Sequence, residues 1–478
     1  MTEIIGRVGW RTFAPTQNAF TMTIDTTKAG SASDTFILPC GTGGVYNAVI
    51  DWGDSTTSTI TAFNDTDLTH VYSVGGVYTI KISGSLPQII FNNGGDRLKV
   101  LSIDKWGNNQ WLRLLNSFRG CSNLVINAID IPNTSLVTSL ISAFQNCTSL
   151  TSFSMAGWDL SSCTYLGGGF QGSFNGCTSL IDFDFTGTVL NTTSNVSMRE
   201  MFWNCTSLTT VTGFNTLNTS KVTSLYYAFR SCTSLTSLDM SGIDLSNCSD
   251  FLGMFYTCSS LTSVDLTGIT FRTLGINVSS MFNDTTLLTT IEGIENISVP
   301  LTNIIATFKT CGITGDLDLT GWDVSQVTSL SQTFQGSSFT SIDISGWNLS
   351  NCTTWGAKYA GAFSGGDAAY INVTDVTIRT AGTVTMYETF SLLGTCDIIG
   401  LDTWDISQVN QITDFMNGTK ITTVEYDKLL IAWNSQDAVN SLAVKFGTSQ
   451  YTLGSAAATA RASLISTDLW TITDGGGI

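Results

Sequence analysis

A single histidine, five prolines and only 12% charged residues are spread over 478 positions, and each shortage removes a class of chemistry. With His70 alone there is no second imidazole for a zinc site, and no spare ring to act as the usual general base. Basic residues are scarce as well. The 20 Lys and Arg face 37 Asp and Glu, a net charge of −17, so phosphate backbones and anionic lipid are repelled and nucleic acid is not an expected partner. No run of eighteen apolar residues occurs, so membrane insertion is not expected. The chain also lacks C-x-x-C, G-x-S-x-G, GxxxxGK[ST] and HExxH, the compact signatures of metal, nucleophile and phosphate sites. The expectation is a protein that is not an enzyme and needs no cofactor.

What is present is a period. Phe118, Phe144, Phe174, Phe202, Phe229, Phe255, Phe282, Phe308, Phe334, Phe363, Phe390 and Phe415 succeed one another at intervals of 25–30 residues. Such a spacing marks a solenoid, whose coils bury their apolar faces by stacking on one another. A tail recurs behind the ring: Phe144-Gln-Asn-Cys147-Thr-Ser-Leu150, Phe202-Trp-Asn-Cys205-Thr-Ser-Leu208 and Phe229-Arg-Ser-Cys232-Thr-Ser-Leu235. An alternating run comes after it, as in Leu235-Thr-Ser-Leu238-Asp-Met240, with the period of two that belongs to a strand. Its LxxLxL pattern resembles the strand of leucine-rich repeats. Turns such as Gly157-Trp158-Asp159, Gly321-Trp322-Asp323 and Gly346-Trp347-Asn348 come next, where Asp or Asn can cap the adjoining segment. The closing stretch, Val327-Thr-Ser-Leu330 and then Phe334, spaces apolar residues by three and four and predicts a short helical turn on the outer side. Like side chains should therefore stack on like: Phe144 on Phe174, Phe202, Phe229 and Phe255, and Cys147 on Cys177, Cys205, Cys232 and Cys258. Twelve coils at about 4.8 Å each give a rod of about 60 Å.

The twelve cysteines fit this plan as small buried fillers. Seven share one repeat position, which holds Thr285, Ser337 or Gly366 in other coils, and Cys163, Cys248 and Cys352 stand where Val222 and Val327 stand in theirs. Residues that exchange with Ser, Thr, Gly and Val are packing, not ligating. Cys40 and Cys396 belong to neither column.

Four regions are expected: an N-terminal arm at 1–19, a small β-sandwich at 20–85, the solenoid at 86–425 and a C-terminal cap of helices and strands at 426–478. The fold class is thus mainly β with short helices. In the sandwich, Asp51-Trp52-Gly53-Asp54, His70-Val71-Tyr72 and Gly76-Val77-Tyr78-Thr79-Ile80 resemble PKD-type immunoglobulin-like domains, with Ser55 in place of the usual glycine. His70 is there most simply a structural residue. The Phe-x-x-Cys-Thr-Ser-Leu tail, the Gly-Trp-Asp turn and the Ser-x-Val-Thr-Ser-Leu segment together look like BspA-like leucine-rich repeat proteins, from about residue 98 to the end and most closely in the middle coils. That resemblance implies adhesion to proteins or host surfaces without catalysis, and it transfers no catalytic residue.

Candidate binding residues are of two kinds. Asp184, Asp239, Asp265, Asp318 and Asp343 should line one exposed face, and a row of like charges at strand spacing must be either solvated or bridged by cations. Asp239, Asp265, Asp318 and Asp343 are accordingly candidate Ca²⁺ ligands, although a regular stripe gives no cleft of the kind that glycosidase carboxylates need. The turn tryptophans Trp158, Trp322 and Trp347 are candidate sugar or protein contacts, unless they pack on the next coil. The start, Met1-Thr-Glu-Ile-Ile-Gly-Arg7, lacks a basic segment with an apolar stretch behind it, so a secretory leader is not expected. These readings favour a phage virion appendage touching the host surface, with a host protein or glycan, other virion proteins at the N-terminal region and further copies of the chain as partners. The alternatives are a bacterial cell-surface adhesin without its leader and a non-catalytic module of a carbohydrate-active system.

Overall fold

Strict alternation from Phe20 onward becomes strand β1 (Phe20–Asp25), which buries Phe20, Met22 and Ile24. The computed structural model describes residues 18–164, 169–437 and 439–478; the expected arm at 1–19 lies outside these except for its last two residues. Next along the chain are strands β2 (Thr35–Ile37), β3 (Asn47–Asp51), β4 (Thr57–Ile60), β5 (Thr69–Val71) and β6 (Val77–Ser85). Then come β7 (Val100–Lys105) and β8 (Val125–Ile126). β2 pairs with β5, while the others form one sheet in the order β4-β3-β6-β1-β7-β8. β1 is antiparallel to both β6 and β7, but β7 is parallel to β8. The N-terminal sheet thus runs directly into the first coils.

Beyond β8 each coil is three-sided. Ser237–Asp239 pairs in parallel with Ser263–Asp265, and Asp244–Leu245 with Thr270–Phe271. On the third side Val196–Ser197 pairs with Val222–Ser224, and Ile276–Asn277 with Leu301–Asn303. The result is a β-solenoid of about 14 turns. The third side corrects one expectation, because it carries short strands and then a double turn where a helical turn was predicted. Residues two before and two after the column Phe are left-handed from Phe118 to Phe334 and again at Phe390: Glu200 (φ 56°) and Asn204 (φ 61°) flank Phe202, and Tyr227 (φ 53°) and Ser231 (φ 59°) flank Phe229. Two such residues four apart break any right-handed helical ladder. Their amides bond to the next coil instead, Glu200 to the Tyr226 carbonyl (2.9 Å), Phe202 to that of Ala228 (2.8 Å) and Asn204 to that of Arg230 (2.8 Å). Short 3₁₀ turns do occur, at a different corner: Phe214–Thr216, Ile294–Asn296 and Leu401–Thr403.

The ring column is continuous from Phe118 to Phe390, with neighbouring centroids 4.9–5.9 Å apart and planes within 22° of each other. Phe415 is not its next member. It meets Phe390 edge-on at 86°, and its carbonyl accepts the Phe390 amide, a task that Ala228 performs for Phe202. The position that stacks in the final coil is Met416, flanked by left-handed Asp414 and Gly418.

All twelve cysteines are unpaired. The column is more than filler: the thiols of Cys147, Cys177, Cys205, Cys232 and Cys258 donate to the carbonyls of Phe118, Phe144, Phe174, Phe202 and Phe229 one coil back, at 3.0–3.1 Å. Thr285 and Ser337, which replace Cys there, are also donors, but their hydroxyls turn to the Phe of their own coil, to the carbonyls of Phe282 (2.6 Å) and Phe334 (2.7 Å). Burial pushes the Cys177 and Cys258 thiols up to about 12. Because the thiolate is the reactive form, a disulfide reagent such as DTNB should label the native protein very slowly and all twelve thiols once it is denatured. Rapid native labelling of several thiols would contradict this column.

The C-terminal cap continues the coil bonding. Helix α1 (Thr423–Asn434) is N-capped by Thr422 and buries Tyr426, Leu429, Leu430 and Trp433; helix α2 (Ala456–Ser466) is N-capped by Ser455. These are the two α-helices among the described residues. Ala443–Lys445 and Thr471–Thr473 pair in parallel. Arg461 holds Asp474 with two bonds (2.7 and 3.1 Å), and the Tyr426 hydroxyl donates to the same carboxylate at 2.7 Å.

Candidate binding surface of the solenoid

Three neighbouring strands near the start of the solenoid, Ser152–Ser154, Asp182–Asp184 and Thr210–Thr212, lie in register. Their central Phe153 and Phe183 turn inward and are buried, so the flanking residues must face the other way. That puts Ser152, Asp182 and Thr210 in one outward row and Ser154, Asp184 and Thr212 in another. Beside this floor stands an apolar wall with Ile129 fully exposed and Ile131 more than half exposed. Together they enclose a groove of about 750 Å³. Asp184 accepts the Thr186 amide (2.8 Å), the Thr212 hydroxyl (3.0 Å) and the Ser154 hydroxyl (3.3 Å). Partial burial alone would raise its pKa, but these hydrogen bonds outweigh it and hold the carboxyl below the usual range.

The remaining acidic row has a local cause. Asp239, Asp265, Asp318 and Asp343 end their strands, and Oδ1 of each accepts the amide two residues on, from Ser241, Thr267, Thr320 and Ser345 at 2.8–2.9 Å. These are Asx turns that bend the chain out of the strand. Asp239, Asp265 and Glu292 stand side by side in the ladder, as do Asp318 and Asp343.

A family model described as "Mycoplasma protein of unknown function, DUF285" matches residues 90–185, 112–210, 170–296 and 302–377. These matches take in more than half of the chain. The chain belongs to the DUF285 family. No curated protein matches it. The overlapping DUF285 matches fall on the Phe-marked coils, as expected of a unit that repeats.

Within this DUF285 solenoid the candidate residues separate. Trp158, Trp322 and Trp347 are at most 3% exposed; Trp322 and Trp347 lie away from the groove, while Trp158 lines it from beneath. The indole N–H of Trp322 donates to the Ile294 carbonyl (3.0 Å) and that of Trp347 to the Leu319 carbonyl (2.8 Å), so they lock coil to coil. The aspartates Asp239, Asp265, Asp318 and Asp343 have an oxygen committed to their turns, and among the described residues no three His, Cys, Asp or Glu side chains converge as a cation would require. Asp184 is the one row member that faces the groove. His70 sits 2.8 Å from Asp54, its ring stacked on Trp52 at 4.8 Å. Sequence reasoning missed the groove wall, because Ile129 and Ile131 lie in a loop with no repeat signal.

The Asx turns carry a pH signature. The Thr320 amide, and then its hydroxyl, lower the Asp318 carboxyl. A folded pKa below the unfolded one adds stability above the unfolded value, near 4, and that stability disappears as pH falls through the folded value. Asp318→Asn keeps the acceptor, as Asn372 does for Thr374 at 3.1 Å. Urea midpoints of this variant should lie below wild type at pH 7, where Asn lacks the stabilised charge, and fall less steeply between pH 5 and 3 so that the two converge in acid; an unchanged slope would show that the turn does not read the charge.

Proposed function

We propose that this chain is a non-catalytic adhesion protein whose solenoid groove takes a host cell-surface protein or glycan. The observation that carries the reading is the groove itself, in which exposed Ile129 and Ile131 face in-register hydroxyl and carboxylate rows. An apolar wall beside regularly spaced donors and acceptors suits an extended ligand, with the wall supplying burial and the rows supplying orientation. The BspA-like reading of the repeats and the PKD-like reading of residues 20–85 point the same way; buried Trp52 and the paired Asp54 and His70 give the latter a physical basis. The setting we favour is a phage virion appendage with the N-terminal region docked into the particle. A bacterial cell-surface adhesin is the second reading, favoured by membership of a family described from Mycoplasma.

Ile129→Asp combined with Ile131→Asp should abolish attachment of the full chain to host cells, or to its partner on a glycan array, with the thermal melt unchanged. Equal attachment of variant and wild type would overturn the groove. Mass-spectrometric detection in purified phage particles supports the virion setting, and antibody labelling on intact bacterial cells supports the adhesin.

A further inference from the structure

Halfway along the solenoid, on the corner outside the Phe column, two arginines lie among four aromatic rings. The Arg230 guanidinium is 4.5 Å from the centre of the Tyr227 ring, 4.8 Å from Trp203 and 5.0 Å from Tyr256. Arg199 lies 4.2 Å from Tyr226, which itself contacts Tyr227 at 4.2 Å. All six side chains are partly exposed. Three consecutive coils supply them, because Trp203, Arg230 and Tyr256 each come directly after the column Phe of their own coil. The cluster is fitted together: Gly253, left-handed at φ 56°, lies under the Tyr227 ring, and a Cβ there would collide with it.

Charge makes the cluster unusual. In a chain with 37 acidic residues, neither Arg199 nor Arg230 forms an ion pair among the described residues. The Nε atom of each is buried without a hydrogen-bond partner. Stacking on rings holds a guanidinium in place while leaving its fork for a planar anion, and carboxylates are the matching shape. Aromatic faces, for their part, take the apolar face of a sugar ring. We infer that Arg199, Arg230 and their rings form a second binding site, for a carboxylate-bearing sugar. The inference rests on the adhesion reading only for its biological purpose, and the site is separate from the groove.

Calorimetric titration of the full chain with N-acetylneuraminic acid, glucuronic acid and glucose tests it. The acidic sugars should bind at least tenfold more tightly than glucose. Arg230→Met should remove that preference, and Arg113→Met, at an exposed arginine elsewhere, should leave it intact. Arg230→Lys keeps the charge without the planar fork and should bind severalfold more weakly at an unchanged melting temperature, which separates recognition from folding. Equal binding of acidic and neutral sugars, or wild-type binding by Arg230→Met, would overturn the site. Cell attachment that persists without any acidic-sugar binding overturns this site alone. Acidic-sugar binding without cell attachment upholds it and overturns the adhesion reading.

Discussion

Replacing Lys99 with methionine should destabilise the protein by about 3–5 kcal/mol, the usual cost of removing one partner from a buried charge pair. Lys99 and Asp96 are both fully buried and 3.7 Å apart. The Lys99 ammonium donates to the carbonyls of Ala32 (2.8 Å) and Thr35 (2.7 Å) and to the Ser31 hydroxyl (2.9 Å). Asp96 accepts the amides of Ser31 (2.6 Å) and Ile37 (2.7 Å). The pair therefore fastens the segment at 31–37, which includes β2, to the entry of the solenoid. Methionine would fill the volume but leave the Asp96 charge and several carbonyls unpaired in the interior. Urea denaturation measures the loss, and Lys99→Met with Asp96→Leu should recover part of it, since removing both charges spares the uncompensated one. A loss below about 1 kcal/mol, the range of exposed pairs, would mean that the pair is solvated.

That pair shows where sequence reading stops. Asp96 and Lys99 look like an ordinary surface pair three residues apart, and their real partners lie about sixty residues earlier in the chain. The Phe and Cys columns were legible because a period reports on neighbouring coils however far apart they are in sequence. The cap helices were legible for a different reason, as the apolar spacing from Tyr426 to Trp433 and the helix-forming residues from Ala456 to Leu464 are local signals. Local spacing misled on the third side of the coil. Apolar residues three and four apart suit a helical turn, and they suit equally a short strand with two left-handed corners behind it. Phe415 misled because Phe and Met are adjacent there; the even spacing points to Met416, and the more familiar residue type points away. The aspartates were placed correctly on the exposed side, but their Asx role was written in Asp239-x-Ser241 and Asp265-x-Thr267. In that spacing the residue two positions on supplies the amide, and in these two turns its hydroxyl donates to the same oxygen as well.

Phe202→Ala should cost about 3–5 kcal/mol, as large-to-small changes of buried aromatics do. The ring is 1% exposed, stacked on Phe174 at 5.9 Å and on Phe229 at 5.2 Å, with the edge of Phe183 at 4.8 Å. Three coils lose contacts at once, and their backbones are tied by amide bonds at both left-handed corners, so the void cannot close by collapse. Because a solenoid is held by nearest-neighbour interfaces, the damage concentrates between two blocks of coils. Thermal unfolding should then separate into two steps, with amide exchange fastest near residues 174–229. Phe202→Met should cost less than about 1.5 kcal/mol, in the range of volume-conserving swaps, since the natural column itself ends on Met416. If Met at 202 were as damaging as Ala, ring-on-ring stacking and not filled volume would be what holds the coils together, and the column's tolerance of Met416 would have to come from the cap.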